Sequence, residues 1–71
     1  MGPIMNPMLK IAYDYGQQNG YHSREYLVSS IQKEGQTYWV FFQGVSGLPG
    51  DHFSVNVDTD TRKATRLIPG R

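Results

Sequence analysis

The chain has 71 residues, no cysteine, and seven Lys and Arg against six Asp and Glu, a formal net charge of +1. A domain of this length hides only about 60% of its unfolded surface, so one core is all it can build. The missing cysteines exclude a disulfide framework and a thiolate metal cluster, and the near-balance of charge removes any general pull towards nucleic acid or an anionic membrane.

No apolar run approaches the roughly 20 residues of a membrane span, and no charged-then-apolar leader is in view, so the expected setting is soluble and cytoplasmic. Met1, Gly2, Pro3 and Ile4 carry no pattern, and residues 1–5 read as a disordered or added end, with a single domain over 6–71. Asn6 is a good N-cap and Pro7 suits the first helical position. Met8, Ile11, Ala12 and Tyr15 then recur at helical spacing, and Leu9 and Tyr13 widen the apolar stripe. Gly16 weakens this helix or permits close approach to a sheet, and Asn19-Gly20 supplies a left-handed stop.

A short polar link through His22 and Ser23 leads to a strand from Arg24 to Gln32, with Leu27 and Ile31 on one face and Tyr26 and Val28 on the other. Lys33-Glu34-Gly35 reads as a three-residue hairpin loop with Gly35 left-handed. That loop pairs Gln32 with Gln36, and so places Leu27 opposite Phe41, Ser29 opposite Trp39, Val28 opposite Val40 and Tyr26 opposite Phe42. A two-residue loop would swap these pairings. The strand beyond it, Thr37 to Gln43, is the most aromatic run in the chain, β-branched or aromatic at every position from Thr37 to Phe42. Trp39 and Phe41 point one way while Tyr38, Val40 and Phe42 point the other, so both faces of this central strand are apolar.

The connection from Gly44 to Asp51 is longer than a usual hairpin loop and is punctuated by Gly44, Gly47 and Gly50. Phe53, Val55 and Val57 then alternate with Ser54, Asn56 and Asp58, a strand with one buried and one wet face. Asp58-Thr59-Asp60-Thr61 offers turn-capping side chains, and Ala64 to Ile68 can return as a last strand before Pro69-Gly70. The expected fold class is α+β, one N-terminal helix packed on a four-stranded antiparallel meander sheet.

Chemical motifs are sparse. Asp58 and Asp60 begin like a calcium loop, but Lys63 and Pro69 stand where that loop needs glycine and a bidentate acid, so a plain turn is the better reading. His22 and His52 lack a spacing that would aim them at one metal. Asp51 and His52 beside the long loop could serve acid and base chemistry, yet no glycine-flanked nucleophile accompanies them. The glycines of the loop precede a strand rather than a helix, which removes the phosphate-cradle reading. No cofactor is expected, and the chain reads as a non-enzyme.

The aromatic load carries the functional expectation. With one helix to cover one face, Tyr26, Tyr38 and Phe42 are expected on the face away from it, where they would expose several hundred Å² and call for an interface. Leu48, Asp51 and His52 of the long loop would form its rim, with Arg66 alongside. Cover by a hetero-partner and cover by a second copy rank equal on these physics. A single-strand nucleic-acid binder is the alternative, stacking bases on Tyr38 and Phe42 beside Arg62 and Arg66. The near-zero net charge argues against it.

The carboxy-terminal half adds a likeness. Tyr38-Trp39-Val40-Phe41-Phe42, then Gly50 to Asp58, Thr61 and Arg66-Leu67-Ile68-Pro69-Gly70 follow a strand, strand, "V-D-x-x-T-G-x-V" hairpin pattern. This resembles small immunity proteins with a nuclear-transport-factor-like (cystatin-like) fold, and also PepSY-type domains, which are inhibitory or regulatory modules. The resemblance covers about the last 35 residues, and Arg62 stands where the pattern has glycine. The immunity resemblance implies a non-enzymatic bacterial inhibitor that docks on a toxin or enzyme and blocks its site.

Overall fold

The computed structural model describes residues 7–70. The expectations for residues 1–5 and for Asn6 as a cap lie outside them. Helix α1 runs Pro7–Gln18. It stops as the Asn19-Gly20 pair predicts: Gly20 takes φ 93°, Tyr21 N donates to Gly16 O at 2.9 Å and Gly20 N to Gln17 O at 3.1 Å. These two bonds are those of a Schellman cap, in which a left-handed glycine satisfies the last carbonyls of the helix.

A single 3₁₀ turn, Ser23–Glu25, separates the helix from the sheet, so the first strand starts at Tyr26 and not at Arg24. The strands are β1 (Tyr26–Glu34), β2 (Thr37–Gly44), β3 (His52–Asp58) and β4 (Lys63–Pro69). They form one antiparallel sheet in the order β1-β2-β3-β4, with the helix packed on it: an α+β meander. Among the described residues no helix is long and apolar enough to cross a membrane.

The β1–β2 register differs from the three-residue-loop expectation. Glu34 pairs with Thr37, which leaves a two-residue turn of Gly35 and Gln36, with Gly35 at φ 61°. Glycine at the first central position with positive φ is the requirement of a type II′ hairpin turn. Lys33 then faces Tyr38, Gln32 faces Trp39 and Ser30 faces Phe41, after which Ser29 is left over as a bulge and Val28 pairs with Phe42. Because one extra residue flips the alternation, Leu27 and Ile31, expected together, end on opposite faces. The β3–β4 pair has a second bulge at Thr65, with Asn56 opposite Arg66 and Val57 opposite Ala64.

The register of β2 on β3 fixes the core. Phe42 pairs with Phe53, Val40 with Val55 and Tyr38 with Val57, so the apolar alternates of β3 share a face with the even-numbered residues of β2. That face carries the helix. Ala12, Val40, Val55 and Val57 are fully buried, Phe42 is 1% and Phe53 3% exposed, and Met8, Leu9, Ile11 and Tyr13 pack against them. Each such valine or phenylalanine contributes about 1.5–3 kcal/mol by leaving water. The expectation that Phe42 lies away from the helix is therefore corrected, and Tyr26 and Tyr38 move with it to the helix side.

Gly16 shows why the helix can settle here. A Cβ at this position would come within 2.9 Å of the Phe53 ring, so the glycine does permit close approach. Phe53 fills the space, stacking on Phe42 at 4.5 Å between ring centroids and on Tyr21 at 4.2 Å, with Tyr26 edge-on at 5.0 Å.

The β3–β4 turn is closed by Asp58, whose Oδ1 accepts from Asp60 N at 2.8 Å and Thr61 N at 3.1 Å. Asp58 is thus the cap of a tight turn, as the failed calcium spacing suggests. Arg62, in the slot where the hairpin pattern has glycine, takes φ 57° all the same. A non-glycine residue is strained there, so Arg62→Gly is expected to raise stability by about 0.5–1 kcal/mol. A urea melt of the two proteins checks this, with an unchanged or lower midpoint for Arg62→Gly as the contrary result.

Candidate functional site

With the helix on one side, the opposite side of the sheet has no layer over it among the described residues. Odd-numbered residues of β2 and even-numbered residues of β3 form its centre: Trp39 and Phe41 beside Asn56 and Ser54. Arg66 and Ile68 extend the two rows on β4, and Gln32 and Ser30 extend them on β1. Trp39 and Phe41 are half-buried, with ring centroids 6.4 Å apart. Ile68 is 41% exposed.

The face has relief. Among the described residues Ser54 and Asn56 are the buried polar ones, yet they lie on the uncovered side. They are short side chains on β3, overtopped by the larger ones of β2 and β4. Asn56 is held by Thr65 Oγ1, which donates to its Oδ1 at 2.9 Å, and it donates to Thr37 Oγ1 at 3.2 Å. The low strip opens into two shallow depressions that share Phe41, Ser54 and Ile68. One, of about 330 Å³, runs to His52 and Pro69; the other, of about 240 Å³, runs to Trp39, Gln32 and Glu34.

At the end of the sheet, the Val45–Gly50 loop is organised by Asp51. Its carboxylate accepts from Tyr26 Oη at 2.6 Å and from the Ser46 hydroxyl, and its carbonyl accepts from Gly44 N at 2.7 Å. The Ser46 Oγ in turn accepts from Leu48 N at 3.2 Å. The Ser46 bond first, and the Tyr26 bond second, hold the Asp51 carboxyl below the usual carboxylate range. The same contact with Asp51, then burial, push the Tyr26 phenol up to about 12.

Both shifts make pH predictions. A depressed folded pKa means that Asp51 stabilises the fold above the ordinary carboxylate pKa of about 3.9, and that this is lost as pH falls through its lower folded value. The raised Tyr26 pKa means stability that is present below about 10 and lost as pH rises through 12. Tyr26→Phe is therefore expected to flatten the acid limb of the stability profile below pH 4 and to remove the alkaline one near 12. Urea melts at stepped pH measure it, and an acid limb identical to wild type would show that the carboxylate gains nothing from the phenol.

The seven residues expected to bind a partner are thus dispersed. Tyr26, Tyr38 and Phe42 lie on the helix side, and Phe42 is too deeply buried to touch a partner. Asp51 is occupied as the clasp of the loop, and Leu48 sits on that loop at 64% exposure. His52, opposite Gln43, and Arg66, opposite Asn56, are brought to the open face. Trp39, Phe41, Ile68 and Ser54 are the residues that the sequence reading passed over. Their signal was the polar alternates of β3: the face that carries Ser54 and Asn56 is the one a helix does not cover. Among the described residues no three His, Asp or Glu side chains gather as a metal site. No protein-family model matches the chain, and no curated protein or solved structure matches it either.

Proposed function

We propose that this chain is a small non-enzymatic protein-binding module that docks through the open face of its sheet. The observation that carries the proposal is the pair Trp39 and Phe41, adjacent aromatic rings on a central strand with no layer of the described residues over them. Large rings of this kind hide much area at little entropic cost and are enriched at the cores of protein interfaces. The inhibitor role implied by the likeness to immunity proteins is the most concrete version, and it needs the same covered face. Nucleic acid fits less well. A single-strand platform needs a uniformly basic groove beside its rings, and here Arg66 is matched by Glu34 on the same face.

The test is site-specific photocrosslinking in the producing cells, with p-benzoylphenylalanine in place of Phe41 or, as control, in place of the exposed Lys10 on the far side of α1. Covalent protein adducts from position 41 and none from position 10 are the expected result. Equal yields from the two positions would refute the reading. A gel shift with single-stranded oligonucleotides, weakening steeply with salt, would replace it by the nucleic-acid alternative.

A further inference from the structure

The open face is complementary to itself. Two copies can lay these faces together about one of two axes lying between the sheets. With the axis across the strands, β2 meets β2 of the other copy, so Trp39 and Phe41 collide with their equivalents while Ser54 and Asn56 face one another across a gap. With the axis along the strands, the order β1-β2-β3-β4 is reversed over itself. β2 then lies over β3 of the other copy. Trp39 comes over Asn56 and Phe41 over Ser54, and each ring enters the low strip that the other copy offers.

The same axis sets β1 over β4. Gln32 at one edge of the face then comes level with Arg66 of the other copy, and Glu34, in the next row, comes level with Lys63, each twice by symmetry. Among the described residues neither Glu34 nor Lys63 takes part in an ion pair within the chain. Association by the edges, the other route open to a sheet, is blocked on both sides: β1 has the Ser29 bulge and Lys33, and β4 has the Thr65 bulge and Pro69.

We infer that the occupant of the open face is a second copy of this chain, held as a face-to-face, two-fold sandwich with its axis along the strands. The inference rests on the docking reading above and gives that site its partner. Strand spacing and rise give the face about 450 Å² in projection. Counted on both copies with side-chain relief, that reaches the ~1,000 Å² lower bound of specific interfaces. The dimer is therefore weak and concentration-dependent, with a dissociation constant on the order of tens of micromolar.

Sedimentation equilibrium on the intact chain, from about 1 µM to 1 mM, should show the mass rise from 8.1 kDa to twice that value. The fluorescence of Trp39, the one tryptophan, should shift to the blue over the same range. Glu34→Lys and Lys63→Glu should each weaken association at least about tenfold, and the two together should restore it; both side chains are exposed, so the fold is untouched. A mass of 8.1 kDa throughout, or a double variant no better than either single one, overturns the inference. The crosslinking experiment then separates the two claims. Adducts of position 41 with a different protein would end self-association and keep docking, and the absence of any adduct would end both.

Discussion

Replacing Phe42 by alanine is expected to destabilise the fold by about 3–5 kcal/mol, against a total of roughly 5 kcal/mol for a domain of this size. The ring is 1% exposed, stacks on Phe53 at an interplanar angle of 8° and meets Tyr13 edge-on at 4.9 Å. Its loss leaves a cavity beneath the helix that three elements line, so little collapse can fill it. The neighbouring Phe41→Ala removes a ring of the same size from the opposite face and should cost about 1 kcal/mol or less at a concentration where the chain is monomeric. Urea melts of both variants decide it. Equal losses would mean that both faces of β2 are core, and the assignment of an open face would be wrong.

Gly44→Ala should also be severe, about 2–3 kcal/mol at the upper end of overpacking effects. A Cβ at Gly44 would run into the Asp51 carboxylate and come within 2.7 Å of the Asp51 carbonyl oxygen. That oxygen is backbone and already accepts from Gly44 N, so it has nowhere to go. Relief requires the loop to swing away, and the Tyr26 and Ser46 bonds to Asp51 go with it. Gly47→Ala is the control. Its Cβ would meet open space, and only the left-handed φ of 72° opposes it, at a cost nearer 1 kcal/mol. Amide exchange should show Val45 and Asp51 losing protection in Gly44→Ala and keeping it in Gly47→Ala; protection retained in both would mean that the clasp tolerates the methyl group.

Local patterns in the chain determined a good deal. Asn19-Gly20 ends the helix where it ends, Gly16 lets α1 approach Phe53, Asp58 closes a turn, and the strands follow in a meander with the helix on one face. These features depend on neighbours a few residues apart, whose conformational preferences act wherever the segment lies. The surplus of apolar surface on β2 was also readable, since Trp39 and Phe41 must oppose Val40 and Phe42 in any strand. Which of the two sets goes beneath the helix was not readable from β2, because both are apolar. Pairing with β3 decided it, by putting Phe42 level with Phe53 and Val40 level with Val55, so that one face became wholly apolar and the other acquired Ser54 and Asn56. The bulge at Ser29 has the same character: it restores Val28 to the core face opposite Phe42 after a two-residue turn had set the opposite alternation. Register is a property of pairs of strands distant in sequence, and a slip of one residue exchanges the faces; only the assembled sheet, with its helix in place, selects the one that leaves Trp39 and Phe41 outside.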